Sequence, residues 1–361
     1  MLTEALPVLD FKVKSIVHDY EVNFIDDSLT VLNNEIRDGD VVIMDQKIKE
    51  LYNTIPAAIP ENNLMIDIKA HEKQKSYEGL VPIINKLIES GFRKNHRLIG
   101  IGGGITQDIT AFTASIMYRG VNWIFFPTTL LAQGDSCIGS KTSINFGEYK
   151  NQIGGFYPPN SIYIDLNFLN TLSPADLQSG MGEMSHYFVV AGYEDFKKYK
   201  HDYKSALSDK TVLTKMVARS LMIKKSYIEI DEFDRNERQV FNYGHSFGHA
   251  IESLTNYAVP HGIAVSFGMD MANFVSVKMD LLEPKIRKEI RELLQKIWKG
   301  YDIKDLDVER FCDALAKDKK NVGRELRLIL CKGYGEVFKT PVKNDERFKN
   351  WLANYFKNEL D

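Results

Sequence analysis

The chain has 361 residues, of which 44% are hydrophobic and 26% are charged, and its formal net charge is −3. Its length exceeds a typical single hydrophobic core and favours two domains, while the balanced charge argues against a nucleic acid or an anionic membrane as partner. Three widely spaced cysteines argue against a disulfide framework and against a cysteine metal site.

The first forty residues predict short strands. The start of the chain lacks a basic stretch followed by an apolar one, and nowhere does an apolar run reach about 18 residues. A cytoplasmic location is therefore expected. The runs FKVKSIV and YEVNFI mix β-type residues with polar turns and indicate strands of a small sheet.

Strand and helix patterns alternate from residue 41 onward. VVIMD is a buried-strand pattern that ends at Asp45, where nucleotide-binding α/β folds often hold a ribose, and the helix-like QKIKELYN follows it. LMIDIK and RLIGIGGG repeat the strand pattern, and HEKQKSYEGLVPIINKLIESG between them is an amphipathic helix pattern. The apolar stripe of that helix comprises Leu80, Ile83, Ile84, Leu87 and Ile88. This alternation predicts a parallel sheet with helices on its faces.

A glycine run joins one of these strands to the next helix. Gly102, Gly103 and Gly104 would let backbone amides approach a pyrophosphate at the positive end of a helix. The run is not a clean Rossmann fingerprint, because Ile105 stands where G-x-G-x-x-G counted from Gly100 has its last glycine. A tight turn that needs positive φ explains the glycines as well, so both interpretations stay open.

A long polar segment follows the strand pattern WIFF. It begins with Thr128 and Thr129 and continues as a glycine-containing loop that carries Asp135, Lys141, Lys150 and Asn151. Loops this long inside a compact domain are usually functional. Lysines beside an asparagine suit an anionic ligand such as phosphate, while a solvated loop is the alternative.

After the strand pattern SIYID the chain becomes almost wholly helical. Ser173 and Pro174 have the pattern of an N-cap and a first helical turn, which places a domain boundary near residue 173. A helix ending at Asp318, Lys319 and Lys320, a strand ELRLIL and an amphipathic helix DERFKNWLANYFKNELD are expected near the end of the chain.

Three of the eight histidines lie between residues 238 and 262. If the segment is helical from Asn242, then Asn242, His245 and His249 share one face. His261 would close a metal site from another direction, because neutral imidazole is the commonest protein metal ligand. Three separately hydrogen-bonded histidines are the alternative.

A second possible metal-facing pair lies upstream. Glu183 and His186 are three residues apart and share one face of a predicted helix. Sequence spacing alone does not say whether this pair and the downstream histidines converge.

Together these stretches resemble the dehydroquinate synthase family of NAD- and zinc-dependent sugar phosphate cyclases. The matching motifs, in family order, are GGGITQD, MYRG, PTTLLAQGDSCIGSKTSIN, KNQIGGFYPP, MGEMSHY, NYGHSFGHAIE, HG and DKK. The resemblance runs from Asp45 to Lys320. It implies a Rossmann-like, mostly parallel α/β domain of residues 1–173 that binds NAD, and a mainly α-helical domain of residues 174–361 that binds metal and substrate. Glycerol dehydrogenases and iron-dependent alcohol dehydrogenases are similar at a greater distance.

The resemblance also implies roles for individual residues. The metal ligands, for Zn²⁺ or Co²⁺, are Glu183, His245 and His261. The positions around NAD are Asp45, Glu72, Lys75, Gly103, Gly104, Asp108, Thr128, Thr129, Lys141, Lys150, Phe168 and Thr171. The positions that bind substrate are Asp135, Lys141, Asn151, Lys224, Arg238, Asn242, His249 and either Lys319 or Lys320. Arg119 matches an arginine that reaches the phosphate in a neighbouring subunit, so a homodimer is implied.

The implied reaction is that of 3-dehydroquinate synthase, which converts the seven-carbon acid phosphate DAHP to 3-dehydroquinate and phosphate with transient oxidation by NAD. His186 departs from the family, which usually has lysine there. The change allows three interpretations: a tolerated substitution, an altered substrate, or an extra ligand near the metal. Cyclases that use amino-DAHP, sedoheptulose 7-phosphate or glucose 6-phosphate remain alternatives, as does an NAD- and metal-dependent polyol dehydrogenase.

Overall fold

A computed structural model of the chain describes residues 9–147, 149–316 and 325–360. The described residues form two compact units. The first comprises the chain up to Leu172 together with Lys224–Phe233, and the second comprises Ser173–Ile223 and the chain from Asp234 onward. Residues 224–233 thus group with the first unit, whereas the division expected from sequence places them in the second domain.

The first unit is built on a seven-stranded sheet. The strands of the unit are β1 (Phe11–Val13), β2 (Tyr20–Phe24), β3 (Val41–Asp45), β4 (Met65–Ile68), β5 (Leu98–Gly102), β6 (Trp123–Pro127), β7 (Lys141–Phe146), β8 (Tyr149–Phe156) and β9 (Ser161–Ile164). The order in the sheet is β1-β2-β9-β6-β5-β3-β4. All neighbours in it are parallel except β1 and β2, which confirms the predicted parallel sheet. The expected small N-terminal sheet is wrong, because β2 pairs with β9 and extends the main sheet.

The helices of this unit are α1 (Ser28–Glu35), α2 (Gln46–Leu51), α3 (Thr54–Ala57), α4 (Tyr77–Glu89) and α5 (Gly104–Ile116). The side chain of Ser76 caps α4, which buries Leu80, Ile83 and Leu87 as its apolar pattern predicts. Ile88 was expected on the same stripe but is 60% exposed. The helix begins later than predicted, so HEKQKS lies outside it.

Residues 128–160, expected to be a loop, have regular structure. A single π-helical turn covers Ala132–Ser136, and β7 and β8 pair as an antiparallel hairpin. The prediction failed at β8 because this strand has no buried residue, so no apolar period marks it in the sequence.

The second unit is mainly helical, as the resemblance implied. Its helices are α6 (Pro174–Ala191), α7 (Tyr193–Ala206), α8 (Lys210–Ile228, which joins the first unit from Lys224 onward), α9 (His245–Leu254), α10 (His261–Lys278), α11 (Pro284–Ile297), α12 (Val308–Ala316) and α13 (Glu346–Asn358). Ser173 accepts a hydrogen bond from the backbone of Asp176 and caps α6, as predicted. In the described ranges no helix has both the length and the apolarity that a bilayer crossing requires.

A two-stranded antiparallel ribbon completes the second unit. It consists of β10 (Glu325–Gly333) and β11 (Glu336–Lys343). The first strand was predicted and the second was not. The buried helix α10 contacts this ribbon as well as α6, α9, α11 and α13, so the residue at its N-terminus, His261, is carried on the central helix of the unit.

Candidate functional site

Glycines let three helices of the second unit approach closely. A side-chain carbon on Gly262 would lie 1.8 Å from the carbonyl oxygen of Ser179, and one on Gly182 would lie 2.2 Å from the carbonyl oxygen of Gly262. Gly244 has φ +83, a conformation that favours glycine, and a carbon there would lie 2.6 Å from the carbonyl oxygen of Val265. These glycines bring the first residues of α9 and α10 close to α6.

Three potential metal ligands meet at this approach. One ligand atom each from Glu183 of α6, His245 of α9 and His261 of α10 lie within 4.8 Å of one another. Nε2 of His245 is 3.3 Å from Oε1 of Glu183, and Nε2 of His261 is 3.4 Å from Oε2. Two imidazoles and a carboxylate form a donor set for Zn²⁺ that leaves coordination positions open.

The other nitrogen of each imidazole is held by a second group. Nδ1 of His245 lies 3.4 Å from the carbonyl oxygen of Tyr243, and Nδ1 of His261 lies 3.0 Å from Oε2 of Glu252. Histidines that bind metals almost always use their second ring nitrogen in this way. Both rings therefore present Nε2 toward Glu183.

The carboxylate of Glu183 is suited to a cation. Its residue is 2% exposed, and Oε2 has no hydrogen-bond partner among the described residues. Burial acts to raise the pKa of Glu183, but the imidazoles of His245 and His261 outweigh burial and hold that pKa well below its usual range. A buried, ionised carboxylate requires a compensating charge, so these three residues fit a divalent metal.

A second group of ligand atoms shares one of these residues. His249, Glu252 and His261 also place ligand atoms within 4.8 Å of one another. The first group is the better-built site, because Glu183 is buried whereas His249 is exposed. The His249 ring lies 5.6 Å from that of His245 and 5.7 Å from that of His261. His249 therefore lies beside the first group.

Arg238 and Asn242 precede α9 in a 3₁₀ helix, Glu237–Asn242. The sequence hypothesis of one helix running from Asn242 through His245 is wrong, because the left-handed Gly244 separates the two segments. Arg238 is buried, so it is held within the second unit rather than extended into solvent.

His186 occupies the same helix as Glu183, as predicted. It is fully buried, and its ring centroid lies 4.0 Å from that of Tyr187, 5.8 Å from that of Phe241 and 5.4 Å from that of His245. His186 belongs to neither metal-capable group found in the described residues. The geometry favours a packing role beside the site over an extra ligand.

In the first unit, the glycine run follows β5 and starts α5. None of Gly102, Gly103 and Gly104 has positive φ, so the tight-turn interpretation is wrong. The amide of Thr128 donates to the carbonyl oxygen of Gly102 over 3.0 Å, and a side-chain carbon on Gly103 would lie 2.9 Å from Thr129. The glycines and threonines thus pack together at the carboxyl edge of the sheet, where the first backbone N–H groups of α5 suit a phosphate.

Five predicted site residues of the first unit form one polar cluster. Nζ of Lys75 donates to Oδ2 of Asp108 over 2.9 Å and to Oδ1 of Asn151 over 2.8 Å. Oε1 of Glu72 lies 3.8 Å from Nζ of Lys75 and 3.7 Å from Nζ of Lys150. Burial raises the pKa of Asp108 although Lys75 opposes the shift. The structure therefore brings together residues that are scattered along the sequence.

Asp45 ends β3 and caps α2 by accepting a hydrogen bond from the amide of Lys47. Burial raises its pKa. Phe168 and Thr171 lie together, since the hydroxyl of Tyr52 is 3.1 Å from the carbonyl oxygen of Phe168 and 2.9 Å from Oγ1 of Thr171. The ring of Phe168 is buried in the core, so any contact between Phe168 and a nucleotide must use its backbone.

Asp135, which is partly buried, and Lys224, which is buried, form an ion pair. Nζ of Lys224 lies 2.7 Å from Oδ1 of Asp135 and 2.8 Å from its carbonyl oxygen. Lys141 starts β7 and is exposed. Arg119 is exposed and has φ +63. Lys319 and Lys320 lie outside the described residues.

The family models for the N-terminal and C-terminal parts of 3-dehydroquinate synthase match residues 65–179 and 180–321. The chain belongs to the 3-dehydroquinate synthase family. It is 38% identical over 293 residues to the 3-dehydroquinate synthase of Dictyoglomus turgidum, an alignment that covers 80% of this chain and 81% of that one.

Solved structures of two cyclases confirm the fold class. A 2-deoxy-scyllo-inosose synthase complexed with carbaglucose-6-phosphate, NAD⁺ and Co²⁺ is 22% identical with a TM-score of 0.84, over 96% of this chain and 99% of that one. A 2-epi-5-epi-valiolone synthase of Streptomyces hygroscopicus subsp. jinggangensis 5008 with NAD⁺ and Zn²⁺ bound is 22% identical with a TM-score of 0.85, over 96% and 98%.

Two residues near these sites were not predicted from the sequence. Glu252 contacts His261, and Asn145 contacts both Glu72 and Asn151. Both lie inside motifs that carry the family resemblance, NYGHSFGHAIE and KTSIN. Their position as polar residues inside motifs of predicted site residues could have identified them from the sequence.

Proposed function

We propose that this protein is a 3-dehydroquinate synthase, a carbon–oxygen lyase of the cytoplasm that converts DAHP to 3-dehydroquinate and phosphate. The observation that carries the proposal is the buried Glu183 carboxylate facing Nε2 of His245 and of His261, in a chain of this family. Its curated relatives bear that name, and related cyclases hold NAD⁺ with Co²⁺ or Zn²⁺.

Glu183, His245 and His261 would hold a divalent metal, Zn²⁺ or Co²⁺. The residues that would hold NAD are Asp45, Glu72, Lys75, Gly103, Gly104, Asp108, Thr128, Thr129, Lys141, Lys150, Phe168 and Thr171. Support for the NAD assignment comes from the glycine and threonine segments packed at the N-terminus of α5. When bound, NAD would exchange a hydride with a substrate carbon, and the metal would acidify the hydroxyl on that carbon.

The chain's own residues would bind and orient the substrate. Lys224 and Arg238 supply cations that suit its carboxylate and phosphate. Asp135 holds the Lys224 ammonium at 2.7 Å and thereby fixes its direction. The other proposed contacts are Lys141, Asn151, Asn242, His249 and one of Lys319 and Lys320. Fixing the reactive conformer would be the main contribution of the protein to the ring closure.

Phosphate release separates the candidate functions. Purified protein with NAD and Zn²⁺ should release phosphate from DAHP without accumulating NADH, because the overall reaction has no net oxidation. A polyol dehydrogenase would accumulate NADH instead. Release from amino-DAHP, sedoheptulose 7-phosphate or glucose 6-phosphate, but not from DAHP, would overturn the substrate assignment. Glu183→Gln is the control and should lower both metal content and phosphate release.

Arg119 is proposed to act in the neighbouring subunit of a homodimer. It is exposed and has φ +63 in the short segment Met117–Arg119 that follows α5. Mixing Arg119→Ala and Lys224→Ala proteins tests this. Random exchange makes half of the dimers mixed. If Arg119 acts across the dimer and Lys224 within its own subunit, each mixed dimer has one complete active site out of two. The mixture should therefore regain about a quarter of the original activity. No recovery after subunit exchange would contradict the proposal.

A further inference from the structure

Asn145, at the end of β7, is buried with 6% exposure and makes three side-chain hydrogen bonds. Its Nδ2 atom donates to Oε1 of Glu72 over 2.9 Å and to the carbonyl oxygen of Glu72 over 3.2 Å. Its Oδ1 atom accepts from the backbone N–H of Asn151 over 2.9 Å. Because the oxygens of Glu72 accept and the amide of Asn151 only donates, the partners determine how this side-chain amide is oriented.

Three hydrogen-bonded contacts and one ion pair close a ring of four residues, in which Asn151 takes part through both its backbone N–H and its side chain. Asn145 contacts Asn151, whose Oδ1 accepts a hydrogen bond from Nζ of Lys75 over 2.8 Å. The same Nζ atom lies 3.8 Å from Oε1 of Glu72, which closes the ring. The backbone amide of Asn145 also donates to the carbonyl oxygen of Lys75 over 2.8 Å. The ring therefore joins the segment before α4 to the β7–β8 hairpin.

The ring controls two residues with different proposed ligands. Burial acts to raise the pKa of Glu72, but the hydrogen bond from Asn145 and the charges of Lys75 and Lys150 lower it overall, so Glu72 is held as an acceptor. Asn151 has φ +53, a left-handed conformation that few residues other than glycine adopt and that asparagine tolerates better than most. The hydrogen bond that the backbone N–H of Asn151 donates to Oδ1 of Asn145 is one of the contacts that hold this conformation.

We propose that Asn145 is a positioning residue that couples the binding of NAD at Glu72 to the binding of substrate at Asn151. This inference rests on the proposed function. The Asn145 amide is already bonded to both residues, so a ligand that engages Glu72 restrains this amide further, and the amide in turn restrains the backbone of Asn151. The second ligand then meets residues that are already ordered, so each ligand increases the affinity for the other.

A purely structural role for Asn145 gives a different result. In that case its loss would lower thermal stability and weaken both ligands independently, and the ratio of NAD affinities with and without the second ligand would not change. That ratio is the informative measurement, because linkage requires it to be the same whichever ligand is added first.

The experiment measures the NAD dissociation constant by calorimetry, with and without a non-hydrolysable phosphonate analogue of DAHP. In the unsubstituted protein we expect the analogue to tighten NAD binding by at least about 5-fold. In Asn145→Ala this factor should fall to below 2-fold. Gln152→Ala is the matched control, because Gln152 is an exposed amide of the same hairpin whose side chain bonds only the carbonyl oxygen of Lys150 among the described contacts. In Gln152→Ala the analogue should still tighten NAD binding by the same factor as in the unsubstituted protein.

Asn145→Asp serves if the alanine variant does not fold. It keeps an acceptor for the amide of Asn151 but replaces the donor to Glu72 by a second carboxylate, so NAD binding should weaken and coupling should be lost. Full coupling in either folded variant, or none in the unsubstituted protein, overturns the inference. Failure to bind NAD at all would instead contradict the proposed function, so the two failures are distinguishable.

Discussion

Glu252 accepts a hydrogen bond from His261, with 3.0 Å between Oε2 and Nδ1. Because a carboxylate only accepts, this contact assigns the ring proton to Nδ1 and leaves the lone pair of Nε2 for a metal. Nε2 is the atom that faces Glu183 at 3.4 Å. Glu252 thus favours the form of His261 that could bind a metal through Nε2, although its own carboxylate is on the other side of the ring.

Replacing Glu252 by alanine should weaken metal binding. Loss of such a supporting partner typically costs about 10- to 100-fold in metal affinity. Competition between the metal-free protein and a chelator for Co²⁺ measures it. Glu283→Ala, at an exposed helix end of the same unit, should leave the affinity unchanged. Binding of two metal ions per chain, with loss of one in Glu252→Ala, would instead support the group that contains His249.

The proposed metal site shows how much of the site can be predicted from sequence. Spacing placed His245 and His249 on one helix face, and both are in α9. Spacing could not choose between them, because the choice depends on where α6 and α10 approach. The proposed ligand set came from the family resemblance. The glycines at 182 and 262 explain how α6 and α10 come close enough to bring these residues together, because a larger residue at either position would collide with the backbone.

The polar cluster of the first unit was harder to predict from the sequence. Glu72, Lys75, Asp108 and Asn151 were assigned one by one through the resemblance, and nothing in the sequence indicated that they touch. Their contacts depend on the β7–β8 hairpin, whose second strand has no buried residue and which was expected to be a loop. Long-range pairing of a polar hairpin leaves little trace in local sequence patterns.

Replacing Gly262 by alanine should destabilise the second unit. The added carbon would lie 1.8 Å from a backbone carbonyl oxygen that no side-chain rotation can move, so we expect a cost of about 3 kcal/mol, the upper end of ordinary overpacking. Denaturant unfolding of the metal-free protein measures the cost. Gly155→Ala is the control, because nothing lies within 4 Å of a carbon there. Equal stability of the two variants would contradict the close packing of α6 and α10.

Substitutions at Lys224 and Asp135 can separate stability from substrate binding. Lys224→Met leaves a partly buried carboxylate without its ammonium, and breaking such a pair typically costs about 3–5 kcal/mol. The double variant with Asp135→Asn removes both charges and should recover much of that loss. Phosphate release should remain low in both, because the cation for the substrate is absent. An active double variant would show that Lys224 serves only the fold.

The three cysteines should be unreactive in the folded protein. All are buried, and burial raises the pKa of Cys137 to about 12 and those of Cys312 and Cys331 to about 11. A thiol reagent at neutral pH should modify none before unfolding and three after it. Since unfolded thiols ionise near pH 9 and the buried ones do not, stability should fall as pH rises above 9. Rapid modification of the folded chain would contradict the burial.

His186→Lys tests why this chain departs from its family. The ring of His186 is enclosed by Tyr187, Phe241 and His245, so a lysine would bring a cation into the neighbourhood of Glu183. Because the family usually has lysine at this position, we expect the ammonium to lie beside the carboxylate of Glu183 and the variant to keep its metal. His186→Gln, which adds no charge, is the control and should keep the metal.

The outcomes of this substitution distinguish the three interpretations of His186. Unchanged metal content and unchanged phosphate release from DAHP in His186→Lys would mark the departure as tolerated. Loss of metal in His186→Gln would make His186 a ligand and contradict its packing role. A gain of DAHP turnover in His186→Lys, with loss of turnover of another sugar phosphate, would show that the residue sets substrate choice. Because the lysine must be accommodated where an aromatic ring is fully enclosed, we expect the first of these results only if neighbouring rings rearrange.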